Sequence, residues 1–178
     1  MTFEDVAKRA GVSRGALLHY FSQKSELALA VLEDGTRELL RDLRARLPEW
    51  QNHADRDGLI FDEIYYGGRL FQAFLAVQVH ARTDPVLDEQ LRRIVKQAVE
   101  GIGDIVAEGW GGNLTEREEW PLYLWLFNDV IRGIALSDSA RKGAGIQSEV
   151  WVAARRLLLG ALGDLRAGRS LTGPPTVD

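Results

Sequence analysis

Residues 2–21 have the spacing of a bihelix that could read DNA. Val6 and Ala7 fall on a first short helix, Gly11 in a turn, Val12 after it, and Leu17 and Phe21 on a second helix. Each type has a physical reason. Ala7 is small where two helices cross closely, and Gly11 permits the positive φ that a short reversal needs. Val12, Leu17 and Phe21 supply a buried face, the last two one turn apart. The other face of the second helix carries Arg14, Gly15, Ala16, His19 and Tyr20. A helix so equipped fits the major groove, with its N-terminal residues nearest the bases. The competing reading is a helical hairpin serving an all-α core. Motif spacing, local charge and the lysine that follows at position 24 favour the helix-turn-helix.

The elements around this motif are helical. The five prolines (Pro48, Pro85, Pro121, Pro174, Pro175) sit where helices should start or stop. No stretch alternates apolar and polar residues between hairpin turns, so strands are not expected. Eight helices are predicted: Thr2–Ala10 with Thr2 as cap, Arg14–Phe21 capped by Ser13, and a long Ser25–Arg46 ended by Pro48. The rest are Asp57–Tyr66, Gly68–Arg82, Pro85–Trp110, Thr115–Ser139 and Gln147–Arg166. Ala167 to Asp178, rich in glycine and proline, reads as a frayed tail. The expected organisation is a DNA-binding head with its linking helix over 1–46, and a ligand-binding and dimerisation domain over 47–178.

The run from Glu4 to Leu27, EDVAKRAGVSRGALLHYFSQKSEL, resembles the DNA-binding signature of the TetR/AcrR family of transcriptional repressors. The likeness covers about the first 32 residues. It includes the turn, the aromatic end of the recognition helix and the lysine opening the next helix. The turn Arg82-Thr83-Asp84-Pro85 is also of a kind familiar in the family, and the remainder resembles it in layout. The resemblance implies an all-α, TetR-like fold: a short helix-turn-helix head on a helical ligand-binding and dimerisation body. It implies that Thr2, Ser13, Tyr20 and Lys24 contact phosphates, which the free N–H groups at the helix starts favour for Thr2 and Ser13. It places Arg14, Ala16 and His19 against base edges. Arg14 suits guanine O6 and N7, and Ala16 suits a thymine methyl. Two departures stand out. Leu18 occupies a position where the family usually has tyrosine. Family members also carry a helix ahead of the position of Thr2, so a missing N-terminal helix is expected, with residues before Ser25 dependent on outside contacts for order.

The body suggests partners. Trp120–Leu136 is apolar almost all round, and Gln147–Leu165 shows two apolar stripes, one with Leu157 and Leu158, the other with Trp151 and Val152. Helices apolar on two sides are buried on two sides, which points to a homodimer built as a four-helix bundle. Gly133 and Gly160 would let backbones approach there. Asn128 and Asp129 interrupt one apolar helix, and Gln78 and His80 another. With Tyr65, Tyr66, Phe71, Phe74 and Trp125 they are candidates for an apolar cavity with a few orienting polar groups. The ligand-binding set is Tyr65, Phe74, Gln78, Trp125 and Asn128.

Composition bounds the rest. Twenty-two basic and 26 acidic residues among 178 give a net charge of −4. Residues 1–24 hold Lys8, Arg9, Arg14 and Lys24 against Glu4 and Asp5, or +2, leaving −6 for the remainder. A small basic head on an acidic body engages a polyanion only through that head. With no cysteine, a thiol nucleophile and a Cys-ligated metal are excluded. His19, His53 and His80 lack metal-ligand spacing, Gly109-Trp110-Gly111-Gly112 lacks the lysine of a phosphate loop, and no nucleophile elbow appears. No catalytic residue, metal or cofactor is therefore expected. The sequence reads as a cytoplasmic regulator, a repressor, that binds a pseudo-palindromic double-stranded operator and a small, largely apolar effector. The alternatives are a helical ligand- or partner-binding dimer with a defective DNA head, and an all-α enzyme.

Overall fold

A computed structural model describes residues 2–66, 69–110, 114–141 and 147–173. Its elements are α1 (Phe3–Ala10), α2 (Arg14–Tyr20), α3 (Lys24–Trp50), α4 (Arg56–Tyr66), α5 (Arg69–Ala81), α6 (Pro85–Trp110), α7 (Trp120–Arg141) and α8 (Gln147–Arg166). No strand occurs among the described residues.

Local chemistry sets most boundaries. The Thr2 hydroxyl accepts the Asp5 N–H at 3.1 Å while the Asp5 carboxylate accepts the Thr2 N–H at 2.7 Å, a reciprocal cap on α1. Gly11, at φ 68°, ends α1 in the left-handed conformation that a side chain would resist. Ser13 Oγ accepts the Ala16 N–H at 3.0 Å and starts α2. The Asp84 carboxylate accepts the N–H groups of Val86 (3.1 Å) and Leu87 (3.0 Å), and Pro85 opens α6 where no N–H is needed.

Three boundaries depart from expectation. Pro48 does not end α3; the helix runs on to Trp50. Proline there forgoes one bond, to the Arg44 carbonyl, but Leu47 and Trp50 are buried in the core and hold the last turn by packing. Helix α7 starts at Trp120 rather than Thr115. Pro121 fits the first helical turn and disfavours helix before it, so 114–119 fold as turns. The tail is not frayed as far as Gly173. Glu119 accepts the Ser170 hydroxyl (2.8 Å), the Leu171 N–H (2.8 Å) and the Thr172 hydroxyl (3.1 Å). Leu171 thereby lies against the core. Residues 174–178 of the expected frayed tail lie outside the described residues.

Two cores form. The larger joins Leu43, Leu47 and Trp50 of α3 to buried residues of α4, α6, α7 and α8. The smaller joins Leu29 and Leu32 of α3 to Phe74, Val77 and Ala81 of α5 and Leu87, Leu91 and Ile94 of α6. Helices α3 and α6 run through both and form the spine. They approach closely at glycine: a Cβ on Gly101 would stand 2.5 Å from Leu40 Cδ1, and one on Gly109 would stand 2.9 Å from Leu47 Cδ2. Both oxygens of Glu108 accept from the Arg44 guanidinium at 2.9 Å, a bidentate tie between the same helices.

Helix α8 resolves its two apolar stripes in a way that periodicity left open. Trp151, Leu158, Leu162 and Leu165 point into the chain's own core, whereas Val152 and Leu157 point outward at 63% and 75% exposure. Trp151 stacks on Tyr65 (ring centroids 4.1 Å apart, 4° between planes) and donates to the Asp62 carboxylate at 2.7 Å. The buried Tyr123 hydroxyl donates to the Leu158 carbonyl at 3.0 Å, and burial pushes its pKa well above the usual phenol value. Arg155 with Asp55, and Arg166 with Asp57, then clamp the start of α4 to α8.

Candidate nucleic-acid interface

The head is built back to front. Ala7 and Leu17 are buried where α1 meets α2. With those side chains turned inward, every predicted DNA-contact residue is exposed: Thr2, Ser13, Arg14, Ala16, His19, Tyr20 and Lys24. Arg14 and Ala16 lie in the first turn of α2 and His19 and Tyr20 in its last. Tyr20 is 77% exposed, with its ring edge-on to His19 at 5.3 Å. A Cβ on Gly15 would meet only Ser13 Oγ, at 3.9 Å, among the described residues, so the outer face of α2 presents bare backbone beside Arg14 and Ala16. Lys24 opens α3, with Glu26 in the same turn accepting from the Ser22 N–H at 2.7 Å. The Ser22 hydroxyl, which also donates to Glu26, and this N–H hold Glu26 below the usual carboxylate range.

Geometry separates the two capping hydroxyls. Thr2 Oγ1 both accepts from the Asp5 N–H and donates to the Asp5 carboxylate at 2.8 Å, so its donor is engaged within the cap. The Thr2 N–H and hydroxyl also lower the Asp5 pKa. Ser13 Oγ acts as an acceptor toward Ala16, which leaves its own O–H as a donor. Leu18, at the position noted as a departure from the family, is partly exposed on α2.

In the body, the five ligand candidates do not converge on one described cavity. Tyr65 is buried in the larger core and Phe74 in the smaller, with the Arg132 guanidinium 5.1 Å above the Phe74 ring. Gln78 is exposed. Asn128 is buried with its Oδ1 unpaired among the described residues. Trp125 is 42% exposed and forms part of the wall of a cleft of about 380 Å³ between α6 and α7, which the other four do not line. The side chains of Tyr66 and Phe71 lie outside the described residues. A smaller cavity, about 20 Å³, sits among Ile60, Phe61, Ile102, Trp110, Tyr123 and Phe127. It has room for about one water. Its Trp110 Nε1 is buried without a partner among the described residues. Sequence reasoning passed Trp110 over because it lies in a glycine-rich connector.

Among the described residues no three His, Asp or Glu side chains gather to hold a metal ion, and no helix is long and apolar enough to cross a membrane.

Comparison with known proteins places the head and much of the body. Residues 1–31 match the family model described as bacterial regulatory proteins, tetR family. The chain is 33% identical over 138 residues to the HTH-type transcriptional regulator CymR of Pseudomonas putida, covering 74% of this chain and 66% of that one. It is 31% identical over 96 residues to the HTH-type transcriptional regulator BetI of Brucella canis, covering 52% and 48%. Over 46 residues it is 46% identical to BetI of Cronobacter sakazakii, covering 26% and 23%. The chain thus spans just under two thirds of CymR and half or less of the BetI proteins. No solved structure matches it. Head geometry, family match and relatives agree, and the head of the chain is that of the TetR family of bacterial regulatory proteins.

Proposed function

We propose that the chain is a homodimeric DNA-binding transcriptional regulator, a repressor, controlled by a small, largely apolar ligand. One observation carries the reading: Arg14, Ala16, His19 and Tyr20 are all exposed on α2, between Ser13 and Lys24, while Ala7 and Leu17 are buried behind them. Arg14, Ala16 and His19 meet base edges, while Thr2, Ser13, Tyr20 and Lys24 meet phosphates. The names of CymR and BetI, both HTH-type transcriptional regulators, support the same function. The protein works in the cytoplasm, on the operator, without catalysis.

Residues 1–46 act as head and linking helix, residues 47–178 as the ligand-binding and dimerisation body. Dimerisation is supported by adjacent outward faces: Leu122, Trp125 and Leu126 on α7, Val152 and Leu157 on α8. Gly133 and Gly160 add no obstacle among the described residues, since a Cβ on either would meet none of their atoms within 4 Å. Two heads so paired read a pseudo-palindrome whose half-sites lie about 34–36 Å apart or a multiple of it. The effector is contacted from among Tyr65, Phe74, Gln78, Trp125 and Asn128, and the buried Asn128 Oδ1, unpaired among the described residues, supplies an acceptor. Its binding alters head separation through α3.

The test is selection from random double-stranded DNA by the purified protein, repeated with candidate ligands. An enriched sequence with two inverted half-sites, lost in the presence of a ligand, is expected. Failure to enrich any sequence would overturn the reading.

A further inference from the structure

Helix α2 turns three ridges away from its buried side chain. At about 100° per residue, Gly15 and His19 stand opposite Leu17, the one buried residue of the helix. Arg14 and Leu18 form the ridge on one flank, Ala16 and Tyr20 the ridge on the other, each pair one turn apart. All six of these residues are exposed. The seam with α1 is filled by Ala7 and Leu17, and Leu18 is left 38% exposed beside Arg14. An isobutyl group has neither donor nor acceptor. At this place it makes no hydrogen bond to a phosphate and none to a base edge. In the major groove the base-edge feature that an aliphatic side chain can read is the C5 methyl of thymine. A cytosine there would instead press its amino group against the leucine and lose water without gaining a partner.

We propose that Leu18 is a specificity residue of the head, reading a thymine methyl within two base pairs of the guanine that Arg14 reads. The proposal rests on the reading that α2 enters the major groove, and adds a residue and a base to it. Helix and groove geometry set the spacing. Four residues advance about 6 Å along a helix, and base pairs advance about 3.4 Å along the duplex, so neighbours on one ridge meet pairs one or two steps apart. The Arg14–Leu18 ridge therefore reads by two kinds of force: paired hydrogen bonds to guanine O6 and N7, and burial of a methyl against the leucine. Ala16 stands on the opposite flank, since residues two apart on a helix do not share a face. Its own methyl contact falls to a different thymine, and the two can be told apart.

The probe is the duplex enriched from random DNA by the full chain, with each thymine replaced in turn by deoxyuridine, which removes only the methyl. Binding should weaken about fourfold at one thymine in each half-site, the effect of one buried methyl at about 0.8 kcal/mol. In Leu18→Ala and in Leu18→Gln the thymine-to-uracil ratio at that position should fall to one, while a ratio set by Ala16 elsewhere stays. Leu18→Gln should in addition favour adenine there, whose N6 and N7 a glutamine holds. Alanine and glutamine are both good helix formers, and each ratio compares two duplexes on one variant, so a partial loss of folded head cancels. A leucine that served packing alone would weaken every duplex alike when replaced and leave the ratio untouched, which would overturn the proposal. An enriched sequence with no uracil-sensitive thymine within two pairs of the guanine released by Arg14→Ala would overturn it too, and leave DNA binding standing. Failure to enrich any sequence would overturn the DNA-binding reading and the proposal with it.

Discussion

The head and the body are held together by different physics. Helices α1 and α2, of eight and seven residues, bury one side chain each, Ala7 and Leu17. Helices so short are unstable alone in water, so the head relies on carboxylate and hydroxyl caps: Thr2 with Asp5, Ser13 with Ala16, Ser22 with Glu26. The body relies on aromatic and aliphatic burial, with Trp151, Tyr123, Ile64, Ile105 and Ile131 almost wholly removed from solvent. Each such large side chain contributes about 1.5–3 kcal/mol. The outward face of the head is thus dictated by what it reads, and little of its surface is left over for self-stabilisation. The body can spend a tryptophan on packing alone.

This difference breaks most visibly at Trp151. Replacing it by alanine should cost about 3–5 kcal/mol, since it leaves a cavity under Tyr65 and removes one hydrogen bond to the Asp62 carboxylate. Leu17→Ala should instead leave the main denaturation transition of the body in place and raise hydrogen exchange only within α1 and α2. Urea unfolding followed by circular dichroism, beside exchange mapped by mass spectrometry, checks both. If Leu17→Ala lowered the main transition as far as Trp151→Ala does, head and body would be a single cooperative unit.

The outward face of the body gives the second test. Leu158 and Leu157 are neighbours in sequence and opposites in space, one in the chain's own core and one 75% exposed. Leu158→Arg should bury an unpaired charge and unfold the chain, at a cost of about 3–5 kcal/mol. Leu157→Arg or Leu126→Arg should leave a folded monomer. Light scattering on folded variants decides; an unmodified protein that is monomeric would remove dimerisation from the proposed function.

On the head, Arg14→Ala should cost about 1–3 kcal/mol on the selected operator and relax preference at one position. Lys24→Ala should weaken all sequences alike and reduce the salt slope by about one unit. Titrations that both variants leave unchanged would show that α2 does not present its exposed face to DNA.

What the sequence disclosed follows the same division. Starts and stops written in caps and turns were legible: Thr2, Gly11, Ser13 and Asp84-Pro85 bound their helices as their chemistry requires. Pro48 misled because the burial of Leu47 and Trp50, a tertiary fact, outweighs one lost hydrogen bond. The two stripes of α8 could not be told apart, since periodicity gives the angle of a residue about its helix and not which neighbour lies there. The ligand candidates suffered the same way. Tyr65 and Phe74 are both aromatic, apolar and helical, yet they belong to separate cores. The cleft between α6 and α7 joins residues more than twenty positions apart, such as Gly103 and Leu124, and of the ligand candidates only Trp125 lines it. The caps and turn of the head, being local in sequence, are legible residue by residue.

Acid gives the smallest effect and the finest test of the comparison. Asp5 and Glu26 are held below the ordinary carboxylate range by the hydroxyl and N–H groups that they cap. For a carboxyl whose pKa is depressed on folding, the stabilisation is complete above its unfolded value and is lost as pH falls through its folded one. The caps should therefore weaken only as pH falls below the ordinary carboxyl values of 3.8 for Asp5 and 4.5 for Glu26. Glu119, lowered in the same way by Leu171, Ser170 and Thr172, should release the tail in the same window. The aromatic core around Trp151 and Tyr123 is held chiefly by the packing of buried side chains and should persist. Amide exchange across an acid series is then expected to rise first in α1, at the start of α3 and in 170–172, while the inner turns of α7 and α8 stay protected. Asp5→Asn should bring the α1 change to neutral pH and leave the other two where they are. Loss of protection in α1 and in the core at one common pH would show that the caps are incidental and that the head stands or falls with the body.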